Sequence, residues 1–267
     1  MKKVVLITGG SSGLGKSIGI YLQQRGYVVY GTSRNAMAVT DSEFPLVSMD
    51  LNQEKQIQEA VNEVITKEGR LDVLVNNAGM GITGPIEETP TDEMRRVFET
   101  NVFGAITVMK SCLPQMRAQR SGIIINVTSI AGYMGLPYRG VYSATKGALG
   151  LITEAIRMEV KEFGISVCTV APGDFATNIA SGRYHTPVIK GSPYEEKYQM
   201  NLDLMNTHVD SGSDPVLMAK AVHKIIENPS PRIHYKVGEF MQKFSVFLKK
   251  ILPEKVYEKL LMNHYKL

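Results

Sequence analysis

A tyrosine and a lysine stand four residues apart in the run 141–147, and Ser129 precedes the tyrosine by thirteen residues. Residues i and i+4 of a helix lie on one face, so the spacing predicts that Tyr142 and Lys146 are neighbours. An ammonium held beside a phenol favours the phenolate and lowers the pKa of the phenol from about 10. Such a phenol can give a proton to a carbonyl oxygen, or take one from an alcohol, near neutral pH. A solvated helix face can carry the same pair, so the assignment depends on the elements around it.

Short apolar runs alternate with longer amphipathic segments along the chain. The apolar runs are rich in β-branched residues and lack polar alternation, which predicts parallel strands buried on both faces. The predicted strands are residues 4–8, 28–32, 46–49, 73–75, 123–127 and 166–170, and a last strand is expected over residues 232–238. The predicted helices are residues 14–25, 53–67, 91–117, 142–162 and 215–227.

This alternation predicts an α/β fold with a doubly wound parallel sheet, in the three-layer α/β/α arrangement of a Rossmann fold. We expect a single catalytic domain over residues 1–238. It would include a long irregular lid over residues 178–213, where glycine and proline recur among polar and aromatic residues. Residues 239–267 return to a helical pattern and would form a C-terminal helical extension, divided in two at Pro253.

Composition restricts the function classes. The chain has 267 residues and a net charge of +4, but its basic residues are spread along the chain, which argues against nucleic-acid binding. The two cysteines, Cys112 and Cys168, make neither a metal-binding spacing nor a disulfide framework, so we expect no metal site and a cytoplasmic location. No apolar stretch of about 18 residues is present, which argues against a membrane span.

A glycine-rich segment follows the first predicted strand and opens the first predicted helix. Glycines let a backbone turn tightly against a pyrophosphate, and a helix N-terminus offers it free N–H groups. The pattern is T-G-x-x-x-G-x-G rather than G-x-G-x-x-G. The expected cofactor-binding residues are Gly9, Ser11, Ser12, Gly13, Leu14 and Gly15.

The end of the second strand indicates which dinucleotide binds. An NAD site usually offers a carboxylate there for the ribose 2′-hydroxyl, whereas this chain has Ser33 and then Arg34. A guanidinium suits the 2′-phosphate, so we expect NADP(H), although a solvated arginine is the alternative. After the next two strands, Asp50 and Leu51 are expected beside the adenine and Asn77 close to the ribose.

Taken together, these segments resemble the short-chain dehydrogenase/reductase superfamily over about residues 3–238. The resemblance implies a Rossmann fold, a nicotinamide cofactor and a homodimer or homotetramer. The thirty residues after the last strand are similar to those of its steroid- and retinoid-type members. The motifs that carry the resemblance are residues 8–15, residues 76–79, Asn101, Ser129, Tyr142, Lys146, Pro172, Gly173 and Thr177.

The resemblance also implies roles for four catalytic residues. Tyr142 would be the general acid or base, and Lys146 would tune Tyr142 and bind the nicotinamide ribose. Ser129 would donate a hydrogen bond to the substrate oxygen. Asn101 would hold a water that joins Lys146 to solvent. The alternative for Asn101 is a helix-interior asparagine whose side chain is satisfied by backbone.

Phe175 and Thr177 would lie by the nicotinamide. The expected wall of the substrate site is mostly apolar. No arginine pair is placed to clamp a phosphate, although Arg139 and Arg183 could reach the mouth of the substrate site. We therefore expect a hydrophobic ketone or secondary alcohol, such as a steroid, a retinoid-like compound or a long-chain keto-lipid. The wall residues are Met80, Gly81, Tyr133, Met134, Tyr138, Phe175, Ile179, Tyr184 and His185.

Residues 240–267 carry six lysines against two glutamates on an amphipathic pattern. Such a segment can pack on protein, which we expect, or make a peripheral contact with an anionic membrane. The main functional hypothesis is a carbonyl reductase that uses NADP(H). A redox-sensing regulatory protein that binds NADP and an NAD-linked alcohol dehydrogenase are the alternatives.

Overall fold

A computed structural model describes residues 1–176, 182–210 and 212–267, without the side chains of 206–210. Thr177 and Ile179 therefore lie outside the described residues. Within them the chain forms nine strands. In chain order these are β1 (Val4–Ile7), β2 (Val28–Ser33), β3 (Leu46–Ser48), β4 (Val73–Asn76), β5 (Ile82–Thr83), β6 (Gly122–Val127), β7 (Ile165–Pro172), β8 (Tyr184–His185) and β9 (His234–Val237).

Seven of these strands form one parallel sheet in the order β3-β2-β1-β4-β6-β7-β9. The strand order reverses between β1 and β4, and ligands of doubly wound sheets bind outside the carboxyl ends of the strands at such a point. β5 and β8 form a separate two-stranded parallel ribbon, in which Ile82 pairs with Tyr184. The predicted sheet is confirmed.

Helices cover both faces of the sheet. They are α1 (Gly13–Gln23), α2 (Glu54–Glu68), α3 (Thr91–Phe98), α4 (Ala105–Gln119), α5 (Gly140–Glu159), α6 (Glu195–Asp210), α7 (Pro215–Ile226), α8 (Phe240–Ile251) and α9 (Glu254–Tyr265). One core layer joins the sheet to α2, α4 and α5, and the other joins it to α1 and α7. The three-layer α/β/α architecture is therefore confirmed as well.

The single helix predicted over 91–117 is wrong. A π-helical segment, Glu99–Gly104, separates α3 from α4 and contains the buried Asn101. The apolar pattern continues through the segment, so periodicity alone does not reveal the wider turn.

The expectation of an irregular stretch over 178–213 is also wrong in part, because this stretch contains β8 and the sixteen-residue helix α6. The buried stripe of α6 is Tyr198, Asn201 and Met205, at helical spacing. Two of these three residues have polar groups, so the stripe does not stand out as an apolar repeat.

The tail forms α8 and α9 with a break at Pro253, as predicted. The tail packs on the segment that follows β6. Val246 and Tyr257 form a core cluster there with Ile130 and Met134. Among the described residues no helix is long and apolar enough to cross a membrane.

Candidate active site

Tyr142 and Lys146 lie in the first two turns of α5, and both side chains are buried. The Lys146 ammonium is 5.9 Å from the centroid of the Tyr142 ring and donates a hydrogen bond of 2.9 Å to the Val127 carbonyl at the end of β6. Burial lowers the pKa of Lys146, and the charge of Tyr142 opposes that shift. The helix therefore presents a phenol and an ammonium side by side at the carboxyl end of the sheet.

Ser129 follows β6 by two residues and begins the short 3-10 turn Ile130–Tyr133. Its Oγ accepts a hydrogen bond of 3.1 Å from the Ala131 N–H, which leaves the hydroxyl proton available to a substrate oxygen. The turn packs closely on α5, because a Cβ on Gly132 would lie 2.9 Å from the Lys146 carbonyl carbon. The fold thus places Ser129 beside the helix that carries Tyr142.

Asn101 ties the loop after β4 to α5. Its Oδ1 accepts from the Met80 N–H at 2.8 Å and its Nδ2 donates to the Met80 carbonyl at 2.9 Å. The same Nδ2 donates to Thr145 Oγ1 at 3.2 Å, and Thr145 in turn donates to the Tyr142 carbonyl. The side chain is thus satisfied by backbone and one hydroxyl, which is close to the structural alternative; the role of Asn101 in a water relay stays a prediction.

The glycine-rich turn has the shape that a pyrophosphate needs. Gly9 has a φ of +66°, and a Cβ on Gly15 would overlap the Gly9 carbonyl oxygen. Asn77 fastens the turn by donating from Nδ2 to the carbonyls of Thr8 and Gly9 at 2.9 and 3.3 Å. Thr8 Oγ1 accepts from the N–H groups of Asn77 and Ala78. The organising roles of Asn77 and Thr8 are not visible in the glycine spacing.

The first turn of α1 is open to an anion, since the residue at its N-cap, Ser12, makes no capping hydrogen bond with its side chain. Ser11 and Gly13 are half-buried beside it, whereas Leu14 packs on the core. Arg34 is exposed just after β2. The geometry of this turn and helix fits a dinucleotide phosphate, which would be held by backbone N–H groups.

The remaining predicted contacts lie around this turn. Asp50 Oδ1 accepts from the Asn52 N–H at 2.9 Å, and Leu51 packs on the core and against Gly104. Phe175 is buried in the core layer of α1 and α7. Contacts of these three residues with a cofactor stay predictions, as does the role of Thr177.

Arg139 and Arg183 were expected to reach the opening of the site, and the structure shows where they lie. The Arg139 guanidinium carbon is 5.3 Å from the centroid of the Tyr142 ring. Burial and then the charge of Arg139 lower the pKa of Arg183, whereas the charge of Tyr142 raises it. Arg183 directly precedes β8 and is far from Tyr142 in sequence, so its place near Arg139 depends on the tertiary structure.

The C-terminus also contributes to the site's surroundings. Tyr265, at the end of α9, is buried and interacts electrostatically with Arg139 and Asp174. Its carbonyl accepts a hydrogen bond of 3.1 Å from Asn201 of α6. The sequence analysis missed Tyr265 because it counted only aliphatic residues and phenylalanine in the tail.

Comparison with known proteins agrees with this geometry. The family model for short chain dehydrogenases matches residues 3–187. The chain is 36% identical over 264 residues to the 3-ketodihydrosphingosine reductase of Bacteroides thetaiotaomicron, with 98% of each chain covered.

Two solved structures show the same fold. One is a short-chain dehydrogenase from Streptomyces avermitilis, with a TM-score of 0.84 and 31% identity over 100% of this chain and 97% of that one. The other is ElxO with NADP bound, with a TM-score of 0.72 and 29% identity over 89% of this chain and 97% of that one. The chain belongs to the short-chain dehydrogenase/reductase family of oxidoreductases, with helices added after the last strand.

Proposed function

We propose that this protein reduces the ketone of a hydrophobic substrate to a secondary alcohol with NADPH, or runs the reverse reaction. The observation that carries the proposal is the convergence of Ser129, Tyr142 and Lys146 at the carboxyl end of β6, beside the glycine-rich turn. The bound cofactor would supply or accept the hydride.

In this proposal the Tyr142 hydroxyl gives its proton to the carbonyl oxygen during reduction and takes it back during oxidation. The Ser129 hydroxyl donates a hydrogen bond to the same oxygen and stabilises the negative charge that develops on it. Lys146, fixed by the Val127 carbonyl, keeps a positive charge beside the phenol. Asn101 holds the loop at Met80 against α5 and so keeps these groups in register.

The preference for NADP(H) rests on Arg34 and on the absence of a carboxylate directly after β2. A bound 2′-phosphate would give the exposed guanidinium a partner. The NADP found in ElxO, a relative at 29% identity, supports the same choice.

A cleft with an apolar part supports a hydrophobic substrate. The cleft has a volume of about 490 Å³ and lies between residues 134–137 and the tail, and its lining combines apolar side chains with the charged Lys249, Glu254 and Glu258. Leu136 lines it and also packs in the cluster that contains Tyr142, so apolar contacts run from the cleft to the phenol. The 36% identity to a reductase named for a long-chain keto-lipid supports the same substrate class.

The test is oxidation of NADPH and NADH, followed at the nicotinamide absorbance, with ketones graded from small and polar to long-chain. We expect turnover with NADPH that is confined to the bulky apolar ketones. Comparable rates with small polar ketones would contradict the substrate class. Tight NADPH binding without any turnover would favour the redox-sensor alternative, and a preference for NADH would favour the alcohol dehydrogenase alternative.

We further propose a homo-oligomer. Phe103, Leu151 and Met158 expose large apolar side chains on the segment before α4 and on α5, with exposed fractions of 53%, 68% and 73%. Helix faces of this kind are usually covered by another subunit. Light scattering after size exclusion should give a multimer for the wild type and a smaller mass for Leu151→Glu; a wild-type monomer would contradict the proposal.

The tail could also touch a membrane. Phe240, Phe244 and Phe247 stack along α8, Phe240 and Phe247 are exposed, and Lys243 lies in the same helix. Because Tyr257 and Tyr265 are buried, deleting the tail would damage the domain. Flotation with anionic liposomes should therefore compare the wild type with Phe240→Ser/Phe247→Ser. Equal flotation of both proteins would remove the membrane proposal and leave the cytoplasm as the proposed location.

A further inference from the structure

Arg183 carries a buried nitrogen that lacks a partner. Its Nη1 is inaccessible to solvent and makes no hydrogen bond among the described residues. A buried guanidinium N–H without an acceptor costs free energy, so such a group is expected to meet its acceptor in another state of the protein. The surrounding residues indicate where that acceptor would be.

The backbone makes room for this side chain. A Cβ on Gly81 would lie 2.9 Å from Arg183 Cγ and 3.2 Å from Arg183 Nε, so a side chain at position 81 would crowd the arginine in this conformation. The pairing of β5 with β8 fixes the approach, because the Tyr184 N–H donates to the Gly81 carbonyl at 3.0 Å. The two strands thus fix the backbone beside Gly81 from which the Arg183 side chain extends.

Arg139 is the second arginine near this site, and it contacts Tyr142 from the start of α5. It occupies the N-cap position of α5, three residues before the phenol, and its guanidinium carbon is 5.3 Å from the ring centroid. Burial, followed by the charge of Arg139, lowers the pKa of Arg183. Arg139 therefore lies beside the reacting phenol, and Arg183 is close enough to Arg139 for the two positive charges to repel each other.

One carboxylate is near enough to act on this pair. Asp174 raises the pKa of Arg183, against the two larger effects. However, Asp174 Oδ2 accepts a hydrogen bond of 2.8 Å from Gln242 Nε2, and the described carboxylates form no ion pair with Arg139 or Arg183. Among the described residues, the two arginines therefore lack a carboxylate that forms an ion pair with them.

We propose that Arg139 and Arg183 bind an anionic group of the substrate, a phosphate or a carboxylate, carried close to the ketone. This inference rests on the proposed function and narrows its substrate to an amphiphile, with an acidic head at the arginines and an apolar chain in the cleft. Guanidinium groups bind both kinds of oxyanion through paired hydrogen bonds.

The first experiment measures binding and needs no turnover. Hexyl phosphate, hexanoate, hexanol and hexylammonium are titrated calorimetrically into the NADP-loaded protein. We expect one or both anions to bind at least about tenfold tighter than hexanol, and hexylammonium to bind weakest. The ranking of phosphate against carboxylate identifies the head group. Equal affinities for hexanol and both anions would overturn the proposal.

Variants locate the effect. Arg183→Met, of similar volume, should lose about tenfold or more in anion affinity, and Arg183→Lys should retain part of it. Arg232→Met is the matched control, because it makes the same change at an exposed arginine that directly precedes β9 and lies over the ring of Tyr235. If Arg183→Met weakens NADPH binding as much as anion binding, the arginine belongs to the cofactor site and the proposal fails.

Turnover separates this proposal from the wider one. A long-chain 3-oxo acid is compared with its methyl ester, and an acyl-dihydroxyacetone phosphate with the unphosphorylated ketone. We expect kcat/KM to favour the charged member of a pair about tenfold in the wild type and to be nearly equal in Arg183→Met. Reduction of the neutral members or of the amine 3-ketodihydrosphingosine with equal efficiency would overturn the anion site and leave the reductase standing. Anion-selective binding without reduction of any ketone would support the site and count against the reductase.

Discussion

The Lys146 ammonium donates a hydrogen bond of 2.9 Å to the Val127 carbonyl, and this bond joins helix α5 to the end of strand β6. Val127 is the last residue of β6, and Ser129 follows it by two residues. The bond therefore fixes the distance between the element that carries Ser129 and the element that carries Tyr142. A lysine in this position has a structural role in addition to its charge.

Replacing Tyr142 by phenylalanine removes the proton donor and leaves the buried ring in place. We expect kcat to fall by about 100- to 10,000-fold, the range for loss of a general acid, while NADPH still binds. Fluorescence of bound NADPH measures the second part. Tyr21→Phe is the control, since Tyr21 lies in α1 against Arg25 and His223 and has no assigned role in the site. A Tyr142→Phe protein with near-normal turnover would show that another group donates the proton.

Arg34→Gln tests the choice of cofactor. Because the side chain is exposed, we expect the KM for NADPH to rise about tenfold or more and the KM for NADH to change little. Arg34→Lys keeps the charge without the guanidinium and should lie between the two. Equal changes for both cofactors would mean that Arg34 does not contact the 2′-phosphate.

Gly15→Ala tests the close approach in the phosphate-binding turn. The added Cβ would overlap the Gly9 carbonyl oxygen and lie 2.6 Å from Asn77 Nδ2. We expect a loss of about 1–3 kcal/mol in the free energy of unfolding, together with loss of cofactor binding. Gly135→Ala is the matched control, because nothing lies within 4 Å of its added Cβ, and its stability should stay within about 0.5 kcal/mol of wild type. Normal NADPH affinity in Gly15→Ala would contradict the assignment of this turn.

Lys146→Met tests the buried ammonium through pH. Burial lowers the pKa of Lys146 in the folded protein, so between that pKa and about 10.4 the unfolded chain binds more protons at this residue. The wild type should therefore gain stability relative to Lys146→Met as pH rises through this window, and the gap should be constant at lower pH. Urea unfolding at several pH values between 7 and 10 measures it. A gap that moves against the wild type as pH rises would contradict the lowered pKa.

The two cysteines should resist modification in the native state. Burial raises the pKa of Cys168 to about 12 and raises the pKa of Cys112 as well. Since the thiolate is the reactive form, a disulfide reagent at pH 8 should label neither cysteine in the folded protein and both in denaturant. Rapid labelling of either thiol without denaturant would show that its core layer opens readily.

Much of the site follows from local patterns. Tyr142 and Lys146 are four residues apart on one helix, and residues 8–15 lie between one strand and one helix, so their proximity needs no tertiary information. Arg183 and Tyr142 are different, because their proximity depends on the pairing of β5 with β8 and on the turn before α5. Two-residue strands give almost no periodic signal, which is why the sequence analysis placed Arg183 only at the mouth.

The buried faces of two helices near the site are also hard to predict from local sequence patterns. The buried stripe of α6 contains a tyrosine and an asparagine, and the buried positions of α9 are Tyr257 and Tyr265. Polar groups in these stripes have partners inside the protein: Tyr198 Oη donates to the Thr186 carbonyl at 3.0 Å, and Asn201 Nδ2 donates to the Tyr265 carbonyl at 3.1 Å. Hydropathy counts the polar atom and cannot count its partner, so the segment that forms α6 was predicted as part of an irregular lid.

The π-helical segment Glu99–Gly104 has a genetic consequence. A π-turn is one residue wider than an α-turn, so the segment is equivalent to a single-codon insertion in a longer helix. Loss of the codon for the exposed Phe103 would restore regular α-helical turns, keep α3 and α4 in phase and change the directions of the side chains inside the segment. Asn101 could then no longer face Met80 while α4 kept its core contacts. An in-frame deletion of one codon would thus break the hydrogen bonds through which Asn101 joins the loop after β4 to the helix that carries the phenol.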